Sequence, residues 1–185
     1  MVIGTHMLIS WGIANSFKLE RKERIFVTAA GIIPDLDGLG IIVDSLDQNS
    51  QFHLKYHHIV GHNLLLGITF AILAYLCCKC KLRVLILTFL CFHVHLLCDL
   101  ISGRGPDGIS WPIYYLPFSP DFELSWSGQW YLHAWPNTVV CLIFIIITFL
   151  IARKYKLTPI KCVSESLDQK VLNCFKSVFK KQSKI

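Results

Sequence analysis

The chain has 185 residues, 54% of them hydrophobic and only 16% charged, where a soluble domain has about a quarter of its residues charged. This excludes an ordinary soluble enzyme or a disordered chain. The net charge of +6 sits in clusters beside apolar runs, which points to a membrane surface and not to nucleic acid.

Residues 7–17 and 25–33 are the first two apolar runs, and they flank the basic turn KLERKER. Each makes roughly 18 Å of helix or less, too short for a bilayer that takes about 20 apolar residues to cross. They are expected to form a helical hairpin packed on the other helices. The first basic residue is Lys18, so residues 1–17 are not expected to act as a cleavable signal. Next comes Pro34-Asp35-Leu36-Asp37-Gly38. Residues two apart on a helix point about 200° apart, so both acids reach one site only if the helix breaks. Pro34 and Gly38 favour that break.

The polar stretch DSLDQNSQFHLKY carries His53, Asp44 and Asp47, read as loop residues. It leads to His57-His58-Ile59-Val60-Gly61-His62-Asn63. Residues 64–78 and 82–101 follow as apolar helices around a second basic turn (Lys79, Lys81, Arg83). The latter is long enough to span; the former must borrow from its flanks. Within it His95 and Asp99 stand one helical turn apart on a single face, whereas His93 points about 200° away from His95. Residues 102–120, the first part of the outer segment 102–137, are rich in Gly, Pro and aromatics and read as an ordered loop over the site and the membrane interface. Arg104 is their one Lys or Arg. Residues 138–152 form a third spanning run, entered through the belt Trp126, Trp130, Tyr131 and Trp135.

The cysteines lie mostly in or beside apolar runs and read as small core residues, not as disulfides. In the tail, Val163, Leu167, Val171, Phe175 and Phe179 recur every four residues between lysines. That pattern predicts a basic amphipathic helix on an anionic leaflet. The expected architecture is an all-α membrane bundle with an N-terminal hairpin and about three spanning helices. Residues 1–152 would be the membrane domain and residues 153–185 a basic cytoplasmic tail.

Ionisable groups inside apolar sequence are costly unless partnered. His6, Asp35, Asp37, His57, His62, His95 and Asp99 are such groups, and imidazole with carboxylate suits zinc or a similar divalent metal. With the basic turns and tail placed in the cytoplasm, all these candidates sort to the opposite, extracytoplasmic side. Scattered structural histidines would not sort this way. A bland hydrogen-bonded His-Asp pair remains the alternative for His95 and Asp99 taken alone.

Thr5-His6, Pro34-Asp35-Leu36-Asp37, the block at residues 57–64 and His95-x-x-x-Asp99 resemble the YdjM-like family of inner-membrane metal-dependent hydrolases. The resemblance covers roughly residues 1–120. It extends distantly to the zinc-dependent phospholipase C and nuclease superfamily, and implies His6, Asp35, His57, His95 and Asp99 as metal ligands. Asp37 and His62 match the hydrolase motifs without an assigned role. The family's second block usually reads His-Arg-Gly-x-Thr-His-Ser, so His58, Ile59, Gly61 and Asn63 depart from it. His133, with Asn137 four residues on, is the nearest approach to the superfamily's later H-x-x-x-E pair and a further candidate ligand.

The expected function is a membrane-bound hydrolase acting on a phosphoester, lipid-linked ones among them, through a metal-activated water. Asp35 or Asp37 would hold the water or act as base. No serine or cysteine nucleophile motif competes. The rivals are a divalent-metal transporter and a scaffold with a structural metal. The first lacks the internal repeats such folds show; the second lacks the cysteine ligands such sites favour.

Overall fold

The computed structural model describes residues 1–47, 58–105, 108–119 and 121–182, with side chains described as far as residue 174. Among them are seven α-helices and two 3₁₀ helices, with no strand beyond two isolated bridges. Helix α1 is Ile3–Asn15 and α2 is Arg21–Ala29; a 3₁₀ helix, Pro34–Leu39, leads into α3, Gly40–Leu46. Then come α4 (Leu64–Cys77), α5 (Lys81–Ser102), α6 (Trp135–Tyr155), a second 3₁₀ helix (Pro159–Cys162) and α7 (Glu165–Gln182).

The all-helical membrane architecture follows from where the chain can and cannot extend a helix. Helices α5 and α6 are 22 and 21 residues long and apolar enough to cross a bilayer. The α2 limb and the limb Pro34–Leu46 pass the same test as a pair bent by 62°, which gives two or three candidate spans. Helix α6 gains three residues at each end over its apolar run, because Pro136 fits a first helical turn. Helix α4 gains none and stays at 14 residues. Its N-terminus is fixed by Asn63, whose side chain accepts from Leu66 N at 3.0 Å and donates to the Ile59 and Val60 carbonyls. Residues 58–63 are thereby held as a turn, so this run cannot lengthen into a full span as the sequence suggested.

Helix α5 is central, packed against α1, α2, α4 and the first 3₁₀ helix. Its core partners include Val27, Ala30 and Ala74 around Cys91 and Phe92. Gly67 lets α4 close on α5, since a Cβ there would stand 2.8 Å from the Phe92 ring. Helix α6 touches chiefly α1 and leaves Leu142, Ile143, Ile146 and Leu150 about half exposed, as a lipid-facing helix does.

The helices alternate in direction, so the chain has two chemically distinct ends. At one end the two basic turns meet: Glu20 and Glu23 form a reciprocal cap on α2, and Glu23 also accepts from Cys80 N at 3.0 Å. The second 3₁₀ helix joins this end through Arg21, which donates to the carbonyls of Lys161 and Val163. Helix α7 packs on that 3₁₀ helix, and Asp168 accepts from Thr158 N and Oγ1 at 2.8 and 2.7 Å. The other end gathers the start of α1, the break after α2, the turn before α4 and the end of α5.

Candidate metal centre

The break after α2 begins the site. A Cβ on Gly31 would fall 2.0 Å from Ser10 Oγ and 2.7 Å from the His6 carbonyl, so only glycine lets the chain pass α1 this closely. The Gly31 carbonyl faces α5 and lies 3.0 Å from His95 Nδ1. A carbonyl only accepts, so Nδ1 carries the proton and Nε2 presents its lone pair. The 3₁₀ helix opening at Pro34 then separates the two acids. Asp35 turns toward α5; Asp37 turns toward the 58–63 turn.

Asp37 Oδ2 accepts from His58 N at 3.1 Å and Gly61 N at 3.0 Å, and lies 3.0 Å from His62 Nδ1. With two backbone donors already on it, this oxygen receives the His62 Nδ1 proton too, which turns His62 Nε2 inward. Gly61 is required here, since a Cβ would meet the Pro34 carbonyl at 1.9 Å; the family's threonine has no room in this chain. His58 sits at φ 68°, a left-handed conformation costly for a side-chain-bearing residue. It is held there by its bond to Asp37 and by Tyr114 N, which donates to its carbonyl at 3.3 Å.

The result is a convergence of ligand atoms. His62 Nε2 and His95 Nε2 lie 3.3 Å apart. Asp99 Oδ2 stands 2.9 Å from His95 Nε2 and 3.4 Å from His62 Nε2; Asp35 Oδ1 stands 3.6 and 3.8 Å from the same two atoms. Asp35, His62, His95 and Asp99 each offer one atom, and all four lie within 4.8 Å of one another. Asp35 Oδ2 and Asp99 Oδ2 are buried with no hydrogen-bond partner. Two inward lone pairs and two carboxylates in a buried space call for positive charge, and this donor set can hold a divalent metal ion. Without an ion a proton answers that demand. Burial pushes the His62 pKa down, but the hydrogen bond to Asp37 and the charges of Asp37 and Asp99 outweigh it and hold the value up at about 9.

His6 is next to this group rather than within it. Its Nε2 lies 3.0 Å from Asp99 Oδ1 and its ring stacks on His95 with centroids 3.9 Å apart. The Met1 amino group contacts the same Asp99 oxygen. His133 is not brought to the site: it is exposed, beside the Tyr131 ring at the entry to α6. Asn137, its partner in the H-x-x-x-E comparison, accepts from Trp130 Nε1 and donates to the Tyr131 and Leu132 carbonyls. Asn137 therefore ties the loop to the start of α6. His57 and His53 lie outside the described residues. His93 points away from the group, as its angle on the helix requires, and bonds Phe89 O and Tyr115 Oη. Arg104 donates to the Ser127 carbonyl at 2.7 Å and lies over the Tyr131 ring.

The described residues between 103 and 134 close over the end of α5. Gln129, buried, donates to the carbonyls of Asp99 and Trp111 and accepts from Trp111 N. This clamp sets Trp111 beside His58, edge to face at 5.7 Å. A cavity of about 330 Å³ remains between them, reaching Asp35 and Asp99 and walled by Ile3, Leu39, Trp111 and Leu132. Sequence reasoning missed Gly31 and Gln129 and had Gly61 and Asn63 only as departures from a motif; Gly31 and Gly61 act through backbone atoms, Asn63 and Gln129 through their side-chain amides. Only Asn63, a capping residue type before an apolar run, left a readable signal.

A family model described as YdjM inner membrane protein matches residues 1–160. Neither the curated proteins nor the solved structures include a match.

Proposed function

The chain belongs to the YdjM inner membrane protein family, and from that premise we propose that it is a membrane-bound, metal-dependent hydrolase of phosphoesters. One observation carries the reading: two imidazole Nε2 lone pairs, each fixed by a donor bond from its own Nδ1, converge with two carboxylates at the floor of a cavity. Asp35, His62, His95 and Asp99 would hold the ion, with zinc the first candidate for two imidazoles and two carboxylates. When bound there, a divalent ion lowers the pKa of water toward neutrality and polarises a phosphoryl oxygen.

The chain's own residues divide the remaining work. Asp37 and the Gly31 carbonyl fix the tautomers of His62 and His95, as outer partners of ligating histidines do. Asp37 thus acts as a positioning residue: its side chain is only 2% exposed, and the water or base role expected for it passes to Asp35. Asp35 borders the cavity, is 13% exposed, and has one oxygen without a hydrogen bond; it can orient a water and accept its proton. His6 holds Asp99 Oδ1, leaving Oδ2 turned inward. The open cavity favours a site that admits a ligand over a closed structural ion.

Turnover of a chromogenic phosphodiester by the purified protein tests the reading. Activity should vanish on chelation and return with added zinc or cobalt; metal-replete protein inert toward phosphoesters would refute it. For orientation, the basic clusters at the opposite end support an outward-facing site and a cytoplasmic tail. In intact cells on a cysteine-free background, Ser125→Cys should react with an impermeant maleimide and Lys170→Cys should not. The reverse pattern would invert the topology.

A further inference from the structure

We infer that the substrate is an amphiphile whose reacting head carries no more than one negative charge and whose alkyl chain leaves the site along the Leu36–Leu39–Ile42 surface toward the bilayer; this rests on the hydrolase reading above. The charge limit comes from the lining of the cavity. Among the described residues its ionisable side chains are Asp35, Asp99 and His58, with no lysine or arginine. The Met1 amine, also in the lining, is already on Asp99. Arg104, next in sequence to the lining residue Gly103, does not itself line the cavity; it donates to the Ser127 carbonyl and lies over the Tyr131 ring. One divalent ion balances Asp35 and Asp99 and leaves nothing for a phosphomonoester dianion, which at such a site would add unpaired charge at low dielectric. A phosphodiester, with one charge, asks for much less.

The chain comes from the walls. A volume of about 330 Å³ is at the small end for a ligand site, enough for a head group and its first few carbons. Those carbons would touch Ile3, Leu39, Trp111 and Leu132. The limb Pro34–Leu46 runs at 62° to α2 and turns out Leu36, Leu39, Ile41 and Ile42, which are between 48% and 59% exposed. Val60, on the turn that carries His62, is 60% exposed. This margin belongs to a candidate span and faces lipid as α6 does, so an alkyl chain emerging from the cavity beside Leu39 passes along apolar surface from the site to the lipid.

The test reads binding, independently of turnover. Cobalt-loaded protein in an uncharged detergent is titrated with methyl butylphosphonate and methyl octylphosphonate (monoanions) and with octylphosphonate (a dianion at pH 8.5 or so), following the visible cobalt spectrum. The octyl monoester should bind at least about tenfold tighter than the butyl one, a fraction of the roughly fourfold per methylene of full burial, and tighter than the octyl dianion. Leu39→Asn, at the same detergent concentration and with unchanged cobalt content, should cut the octyl-to-butyl ratio to about threefold or less. Equal affinities for the two chains, or preference for the dianion, in protein that holds cobalt would overturn this inference and leave the metal site standing. Failure to take up cobalt at all would bring down both.

Discussion

Each end of the bundle is organised by buried carboxylates, and the two sets are treated differently. At the basic end Glu23 is 2% exposed, and each of its oxygens accepts from a backbone N–H, of Glu20 and of Cys80. Every lone pair it needs filled is filled by the fold, so Glu23 ties the two turns together and has no capacity left. At the other end Asp37 resembles Glu23, taking two backbone donors and one imidazole. Asp35 and Asp99 do not: Asp99 Oδ2, buried with no hydrogen bond, faces imidazole nitrogens that are themselves oriented as acceptors, and Asp35 turns Oδ1 toward the same nitrogens while its Oδ2 is buried with no hydrogen bond. A fold leaves buried acceptors facing one another only where something positive completes them. The contrast separates carboxylates that hold the structure from those that hold a ligand.

That contrast can be broken by substitution. The largest effect is expected from His95→Ala, which removes one of the two inward nitrogens: the protein should lose its metal and its phosphodiesterase activity together, as read by elemental analysis and turnover. Asp37→Asn should come next. It keeps the shape but weakens the orientation of His62, and metal affinity should fall by about 10- to 100-fold, measured by competition with a chelator. The catalytic rate at saturating metal should fall less. Glu23→Gln belongs to the other end. It should cost about 1–3 kcal/mol of stability through the weakened acceptors, seen as a lower melting temperature in detergent, with metal content and affinity unchanged. A Glu23 variant that loses metal, or an Asp37 variant that loses only stability, would dissolve the distinction.

Much of this was legible in the sequence because charge sorts along a membrane protein. The basic turns at residues 18–24 and 79–83 set the direction of four helices, and that alone puts His6, Asp35, His62 and Asp99 at one end. The i, i+4 spacing of His95 and Asp99 needed only an uninterrupted helix, which α5 supplies. The split between Asp35 and Asp37, with Asp35 toward the metal, could be anticipated from Pro34 and the motif, but not the backbone donors Asp37 takes, which depend on the turn at residues 58–63 reaching across. The Gly31 carbonyl behind His95 had no signal, since any residue has a carbonyl and only the packing of α2 on α1 aims this one. His133 misled for a related reason: its spacing to Asn137 imitates a ligand pair, but Asn137 is used up by the backbone of its own loop. The length of α4 was overestimated because hydropathy does not register the Asn63 cap that stops it.

The most direct measurement is the metal content of the protein purified without chelators, wild type beside His95→Ala and Glu23→Gln. Wild type and Glu23→Gln should each retain a transition-metal ion and His95→Ala should retain none. Metal-free wild type that also fails to take up zinc or cobalt on dialysis, or equal metal in all three proteins, would contradict the assignment of Asp35, His62, His95 and Asp99 as a metal centre.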